Sequence, residues 1–181
     1  MRILDILSQI KKNEKINFYR NKKIKNICLN SNEIKKGDLF ISLKGNKFKA
    51  NSFIKEAIDR GSAAIITDTH YNNYDKSFPI IYDDKIKKKL PYLLSKFYKP
   101  IPKNIISITG TNGKTSVCWY VHQMLLYNKI NSSYLGTIGE YYKKNKISDQ
   151  DITTPDICSL FQKAYNHLKK DSDYFIFESS S

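Results

Sequence analysis

The sequence predicts an α/β protein with a mainly parallel sheet, arranged as a small N-terminal α/β domain followed by a second α/β domain. Three observations carry that reading. Short apolar runs alternate with segments of helical period at the spacing of parallel α/β units. The stretch Lys99-Pro100-Ile101-Pro102 interrupts the alternation, and the charge changes across it: residues 1–102 hold 22 cations and 10 acids, whereas residues 103–181 hold 9 lysines and 7 acids. At 40% hydrophobic and 27% charged residues, the composition is that of a chain able to pack a core.

The elements follow in order. Residues 1–12 place Ile3, Leu4, Ile6, Leu7 and Ile10 at helical spacing with Asp5, Ser8 and Gln9 between them, so they read as an amphipathic helix and not as a signal segment. Residues 24–29 form a strand, Lys35-Lys36-Gly37-Asp38 a turn and 39–43 a second strand. Asn51 or Ser52 caps a helix with Phe53, Ala57 and Ile58 on one face, ended by Gly61. Strands over 63–67 and 79–82 and a helix over 84–98 complete the first half. In the second half, 105–109 is expected to be a buried strand and 114–127 a helix. A short strand over 132–135, a hairpin within 141–147, a helix over 156–168 and a last strand over 174–177 follow.

Charge and cysteine content narrow the function classes. The net charge of +14 invites a nucleic-acid partner. Against it, Lys, Ile and Asn together supply 69 residues, a compositional bias across the whole chain, and the cations include only three arginines, the residue whose fork reads phosphates and bases best. No nucleic acid is therefore expected. Cys28, Cys118 and Cys158 are odd in number and lack a C-x-x-C pair, which fits neither a disulfide framework nor a zinc site and points to a reducing compartment. No run reaches the ~18–20 apolar residues of a membrane span. The expectation is a cytoplasmic protein without membrane insertion.

The segment that carries chemistry is Ile105-Ile106-Ser107-Ile108-Thr109-Gly110-Thr111-Asn112-Gly113-Lys114-Thr115-Ser116. A strand runs into a glycine-rich turn and then a helix, so backbone N–H groups and the positive helix end converge where a phosphate would sit. Gly110 and Gly113 permit the turn, Lys114 supplies a point charge for phosphate oxygens, and the Thr115 hydroxyl suits Mg²⁺. Ile108 stands where the longer phosphate-loop pattern has its first glycine, so the match is to the shorter G-x-x-G-K-T core.

Thr109-Gly110-Thr111-Asn112-Gly113-Lys114-Thr115 resembles the ATP loop of the Mur ligases and of folylpolyglutamate synthase. Asn30-Ser31, the run Ile34-Lys35-Lys36-Gly37-Asp38-Leu39-Phe40 and the helix before Gly61-Ser62-Ala63-Ala64-Ile65-Ile66 resemble the UDP-binding N-terminal domain of Mur ligases, which folylpolyglutamate synthase lacks. Leu135-Gly136-Thr137-Ile138-Gly139, Thr153-Thr154-Pro155-Asp156 and Phe177-Glu178-Ser179-Ser180-Ser181 resemble the MurE type, the ligases that add the third peptide residue in peptidoglycan synthesis. The resemblance implies a UDP-binding domain over 1–84 and the first part of a central ATPase domain over 85–181.

Carried over residue by residue, it implies that Gly110, Thr111, Asn112, Gly113, Lys114, Thr115 and Ser116 bind ATP, with Lys114 on the transferred group. Thr115 and Glu178 would hold Mg²⁺, with Lys114, Thr115 and Glu178 as the catalytic set. Leu29, Ser31, Asn46, Lys47, Phe48, Thr153, Thr154 and Ser180 would contact the UDP-MurNAc-L-Ala-D-Glu substrate. Thr154-Pro155 also reads as a helix start with Thr154 as the cap. The implied partners are that substrate and an amino acid, meso-diaminopimelate or L-Lys, on a monomer.

Departures are local. Asn30-Ser31-Asn32 replaces the usual Asp-Ser-Arg, Ile152 replaces an Asn, and 49–52 lacks an Asp-Gly. Length is the largest: the family's carbamylated lysine and amino-acid-binding domain find no counterpart in these 181 residues, so an N-terminal fragment, inactive alone, is expected. The alternatives are a MurF-type or other Mur-like ligase and, from a different class, a basic nucleotide- or nucleic-acid-binding module.

Overall fold

The computed structural model describes residues 22–44, 50–71, 78–149 and 154–180. The helix expected within 1–12 lies outside them. The chain forms two compact units, Met1–Phe97 and Tyr98–Ser181.

The first unit contains β1 (Ile27–Cys28), a 3-10 turn (Ser31–Glu33), β2 (Leu39–Ser42), α1 (Ala50–Asp59), β3 (Ala64–Thr67), β4 (Ile80–Tyr82) and α2 (Ile86–Phe97). Its strands lie in the order β1-β2-β3-β4 and every pair is parallel. All residues of the central β2 and β3 are buried, because a parallel strand inside such a sheet is covered on both faces. That is why they read as continuous apolar runs. Cys28, Ile34, Phe40, Ile54, Ala57 and Ile65 form one core cluster with Phe53 and Ile58 packed against it, so α1 buries the face its spacing predicts. Gly61, at φ 86, ends that helix in the left-handed region that glycine enters at least cost. Its carbonyl accepts from Gly37 N at 3.0 Å and joins the two turns. Helix α2 buries Ile86, Leu90, Leu93 and Leu94 on one face. The buried Asp83 carboxylate fixes its start by accepting from Lys85 N at 2.9 Å and Lys89 Nζ at 2.7 Å. Helix α2 thus belongs to the first unit.

The second unit contains β5 (Asn104–Ile108), α3 (Lys114–Tyr127), β6 (Ser132–Gly136), β7 (Gly139–Tyr142), β8 (Asn145–Ser148), α4 (Ile157–Leu168) and β9 (Tyr174–Glu178). The sheet order is β5-β9-β6-β7-β8, with β9 parallel to both β5 and β6, and the β7–β8 hairpin antiparallel at one end. Successive side chains point to opposite faces. Tyr134 and Ile176 therefore pack with Cys118 and Trp119 of α3, while Leu135 and Phe175 pack with Leu160 and Ala164 of α4.

One expectation is corrected here. The strand after residue 104 is not buried: among the described residues β5 pairs only with β9, and Ile105 is 46% exposed. Ile106 and Ile108 lie under α3, but the apolar cluster beneath α4 contains no residue of β5, which leaves Ile105 uncovered on that face. Helix α3 likewise presents Val117, Tyr120, Met124 and Tyr127 to solvent.

Candidate functional site

The site is assembled where β5 ends. The chain crosses from Ile108 through Gly110 (φ 149) and Gly113 (φ 78) into α3. A Cβ added at Gly113 would meet no atom within 4 Å, so the left-handed φ, not crowding, is what selects glycine there. Gly113 is also the N-cap of α3 and offers no side-chain cap, which leaves the helix start open to an anion. Lys114 Nζ folds back to donate to Gly110 O at 2.5 Å. Thr111, Asn112 and Ser116 are exposed along the loop and first turn.

Thr115 Oγ1 donates to Glu178 Oε2 at 2.8 Å, across 63 residues of sequence. Parallel pairing of Ile108 with Glu178 brings the two strand ends side by side, so the carboxylate lies next to the loop. Glu178 is fully buried and both of its oxygens are held. Tyr134 Oη and Thr137 N, the latter at 2.9 Å, donate to Oε1, and Thr137 Oγ1 joins Thr115 on Oε2 at 3.0 Å. Burial alone would raise this carboxyl, but the hydrogen bonds from Tyr134, Thr115 and Thr137 outweigh it and hold the group below its ordinary value. The same buried anion acts on its neighbours. Burial first and Glu178 second push the Tyr134 hydroxyl upward and the Cys118 thiol to about 11.

Gly136 makes the close approach possible: a Cβ there would stand 2.6 Å from Glu178 Cδ. Thr154 Oγ1 donates to Glu178 O at 2.9 Å and accepts from Ser180 N at 2.8 Å, while Ser179 N donates to Ile108 O at 2.9 Å. Thr154 is thus part of the site and does not cap the helix. Asp156 caps α4, accepting from Cys158 N at 2.8 Å and Ser159 N at 3.3 Å, because its carboxylate rather than the Thr154 hydroxyl faces the first free N–H groups.

The structure therefore gathers Lys114, Thr115, Thr154, Glu178 and Ser180 around the loop from Gly110 to Ser116. In the first unit Leu29 and Ser31 line a cavity of about 250 Å³ with Phe40, Ser42, Leu43 and Phe53. Ser31 Oγ donates to Glu56 Oε2 at 2.6 Å, and Arg60 pairs with Glu56 at 3.1 Å. Asn46, Lys47, Phe48 and Thr153 lie outside the described residues. Sequence reading gave no role to Tyr134, Thr137 or Glu56. Thr137 stands inside one of the motifs quoted above, and the adjacent Gly136 was the available signal that something large approaches the strand.

A strand end, a loop turned on two glycines, an uncapped helix start and a buried carboxylate on the neighbouring strand define a phosphate-loop α/β domain. Residues 108–181 match the Mur ligase middle domain, and residues 23–102 match a second model described as the Mur ligase family, catalytic domain. The chain belongs to the Mur ligase family.

It is 37% identical over 167 residues to a UDP-N-acetylmuramoyl-L-alanyl-D-glutamate--2,6-diaminopimelate ligase of Rickettsia prowazekii, a match covering 90% of this chain and 34% of that protein. A ligase of the same description from Clostridium acetobutylicum is 32% identical, covering 87% and 34%. Among solved structures, one of a ligase of this description superposes with a TM-score of 0.72 at 21% identity, covering 90% of this chain and 33% of that one. MurF of Thermotoga maritima in complex with ADP superposes at 0.53 and 22% identity, covering 89% and 33%. These structural likenesses establish the fold. The chain spans about a third of the length of the relatives it matches.

Proposed function

We propose that the chain is the nucleotide-binding and UDP-substrate-binding part of an ATP-dependent ligase of peptidoglycan precursor synthesis, which adds the third residue to UDP-MurNAc-L-Ala-D-Glu. The observation that carries the reading is the 2.8 Å contact between Thr115 and the buried Glu178 carboxylate at the uncapped start of α3. The open N–H groups of the loop suit the phosphates of ATP, and Lys114, released from Gly110 O, reaches the group to be transferred. Thr115 and Glu178 are hard oxygen donors of the kind Mg²⁺ takes. Among the described residues no cluster of three or more His, Cys, Asp or Glu side chains gathers, so the remaining ligands of such an ion would be phosphate and water. Bound there, Mg²⁺ would neutralise phosphate charge.

The γ-phosphoryl group passes to the D-Glu side-chain carboxylate, ADP leaves, and an amine of the incoming amino acid displaces phosphate from the acyl phosphate to form the amide. The protein's part is positioning and charge neutralisation. Thr154 and Ser180, joined by hydrogen bonds at the end of β9, stand where a substrate bound beside the phosphates would be oriented. The cavity lined by Leu29 and Ser31 is the proposed uridine-diphosphate site. The names of the sequence relatives favour 2,6-diaminopimelate as the added amino acid.

Calorimetric titration of the 181-residue chain tests the reading. It should bind Mg²⁺-ATP and, separately, UDP-MurNAc-L-Ala-D-Glu in preference to UDP. Lys114→Ala should abolish ATP binding and leave the UDP substrate bound; loss of both would count against the assignment. A nucleic-acid partner would instead show affinity falling steeply with the logarithm of salt concentration. With only a third of its relatives' length present, the chain should release no phosphate from ATP when given substrate and amino acid, and release would refute that expectation.

A further inference from the structure

Tyr134 lies in β6, far from the glycine loop in sequence, yet it meets the same carboxylate as Thr115. Its ring is fully buried. It is packed in the cluster of Cys118 and Ile176, edge-on to Trp119 of α3 at 5.4 Å and to Tyr141 at 6.1 Å. These contacts fix where the ring stands, and the hydroxyl at its tip donates to Glu178 Oε1. The backbone N–H of Thr137 donates to the same oxygen at 2.9 Å, and the hydroxyls of Thr137 and Thr115 take the other. Three side chains and one backbone group thus set the plane of the Glu178 carboxylate, and only Tyr134 approaches through a rigid aromatic lever anchored on α3.

Resting on the reading of Thr115 and Glu178 as a divalent-cation site, we propose that Tyr134 is a positioning residue for that site. Its hydroxyl orients Glu178 Oε1 so that Oε2 faces Thr115, and thereby sets the affinity of the nucleotide complex for the divalent ion. The physical basis is general: groups that hydrogen-bond a metal's ligands hold them in the coordinating orientation, and their loss weakens metal binding about 10–100-fold. Thr137 divides its two donors between the two oxygens, so the Tyr134 hydroxyl is the only side-chain donor to Oε1 among these contacts, as Thr115 and Thr137 are to Oε2.

The test is Tyr134→Phe in the 181-residue chain, which keeps the ring and removes the hydroxyl. Mn²⁺ is titrated into the chain saturated with ATP and the free ion followed by electron spin resonance. ATP affinity without metal is measured alongside, and Trp119 emission reports the fold. The expected result is a roughly ten-fold rise in the Mn²⁺ dissociation constant, with metal-free ATP affinity and Trp119 emission unchanged. An unchanged Mn²⁺ constant overturns the proposal, as does a variant that no longer folds, because the hydroxyl would then serve stability alone. If the unsubstituted chain binds ATP but no Mn²⁺, or binds no ATP at all, it is the underlying reading of Thr115 and Glu178 that fails.

Discussion

Glu140 offers a quantitative test of how the second unit is held together. The carboxylate sits on β7, nearly buried, and is met from α4 by Lys163 and by His167, whose Nε2 lies 2.8 Å from Oε1; Ser148 Oγ of β8 donates to Oε2 at 3.2 Å. Burial opposes ionisation here, but the contacts from His167 and Lys163 prevail and bring the group from its ordinary 4.5 to about 2. Each unit of pKa corresponds to about 1.4 kcal/mol, so the ionised carboxylate contributes about 3 kcal/mol to the folded state at neutral pH. Because the folded value is the depressed one, that contribution is complete above pH 4.5 and disappears as the pH falls towards 2.

The perturbation is Glu140→Gln, which keeps the shape and removes the charge. The chain's single tryptophan, Trp119, packs in the core of the second unit and reports its unfolding. Urea melts followed by Trp119 fluorescence should show the variant less stable by about 3 kcal/mol at pH 7, a midpoint lower by about 2–3 M at a slope of 1–1.5 kcal/mol/M. The gap should narrow at pH 4, fall to about 1 kcal/mol near pH 2.5 and be largely gone by pH 2. A gap that stays constant over this range would show that the loss comes from packing or from the amide, and would refute the electrostatic account. A gap below about 0.5 kcal/mol at pH 7 would place the cluster among screened surface pairs.

Two further outcomes follow from the site. Gly136→Ala should destabilise the second unit by about 3 kcal/mol, the upper range for overpacking, and should weaken Mn²⁺ binding by displacing Glu178; a melt within 0.5 kcal/mol of the parent would contradict the contact geometry. Cys118, fully buried and with its thiol pushed to about 11, should remain unmodified when the native chain is treated with a thiol reagent at pH 8 and should react on unfolding, as peptide mass mapping would show.

Much of this architecture is legible in the sequence because its cause is local. The spacing of Phe53, Ala57 and Ile58 is that of α1, Gly61 ends that helix for a reason intrinsic to glycine, and the apolar runs of β2 and β3 follow from burial on both faces. The loop and its lysine are legible for the same reason, since a strand, two glycines and a helix start are contiguous. Glu178 could be placed only by resemblance, because its partnership with Thr115 depends on strand pairing across 63 residues. Tyr134 gives no local sign at all: in sequence it is one more aromatic residue in a strand. Ile105 misleads in the opposite direction. An apolar run shows that a strand is suited to burial, and says nothing of whether the covering element lies within the same stretch of chain.

Gly136 and Glu178 bear also on how the sheet finds its alignment. Strand β9 reads Tyr-Phe-Ile-Phe and β6 reads Ser-Ser-Tyr-Leu, and apolar segments of this kind can associate in parallel in more than one register. In the native register Leu135 lies opposite Phe177, which sets the Glu178 carboxylate into the space that the missing Gly136 side chain leaves free. A slip of one residue would turn every β9 side chain to the other face and bury an ionised carboxylate with no donors. A charge that is costly to bury and a position with no side chain therefore act as lock and key for strand alignment, so that the residue beside the glycine loop also favours the native register over a slipped one.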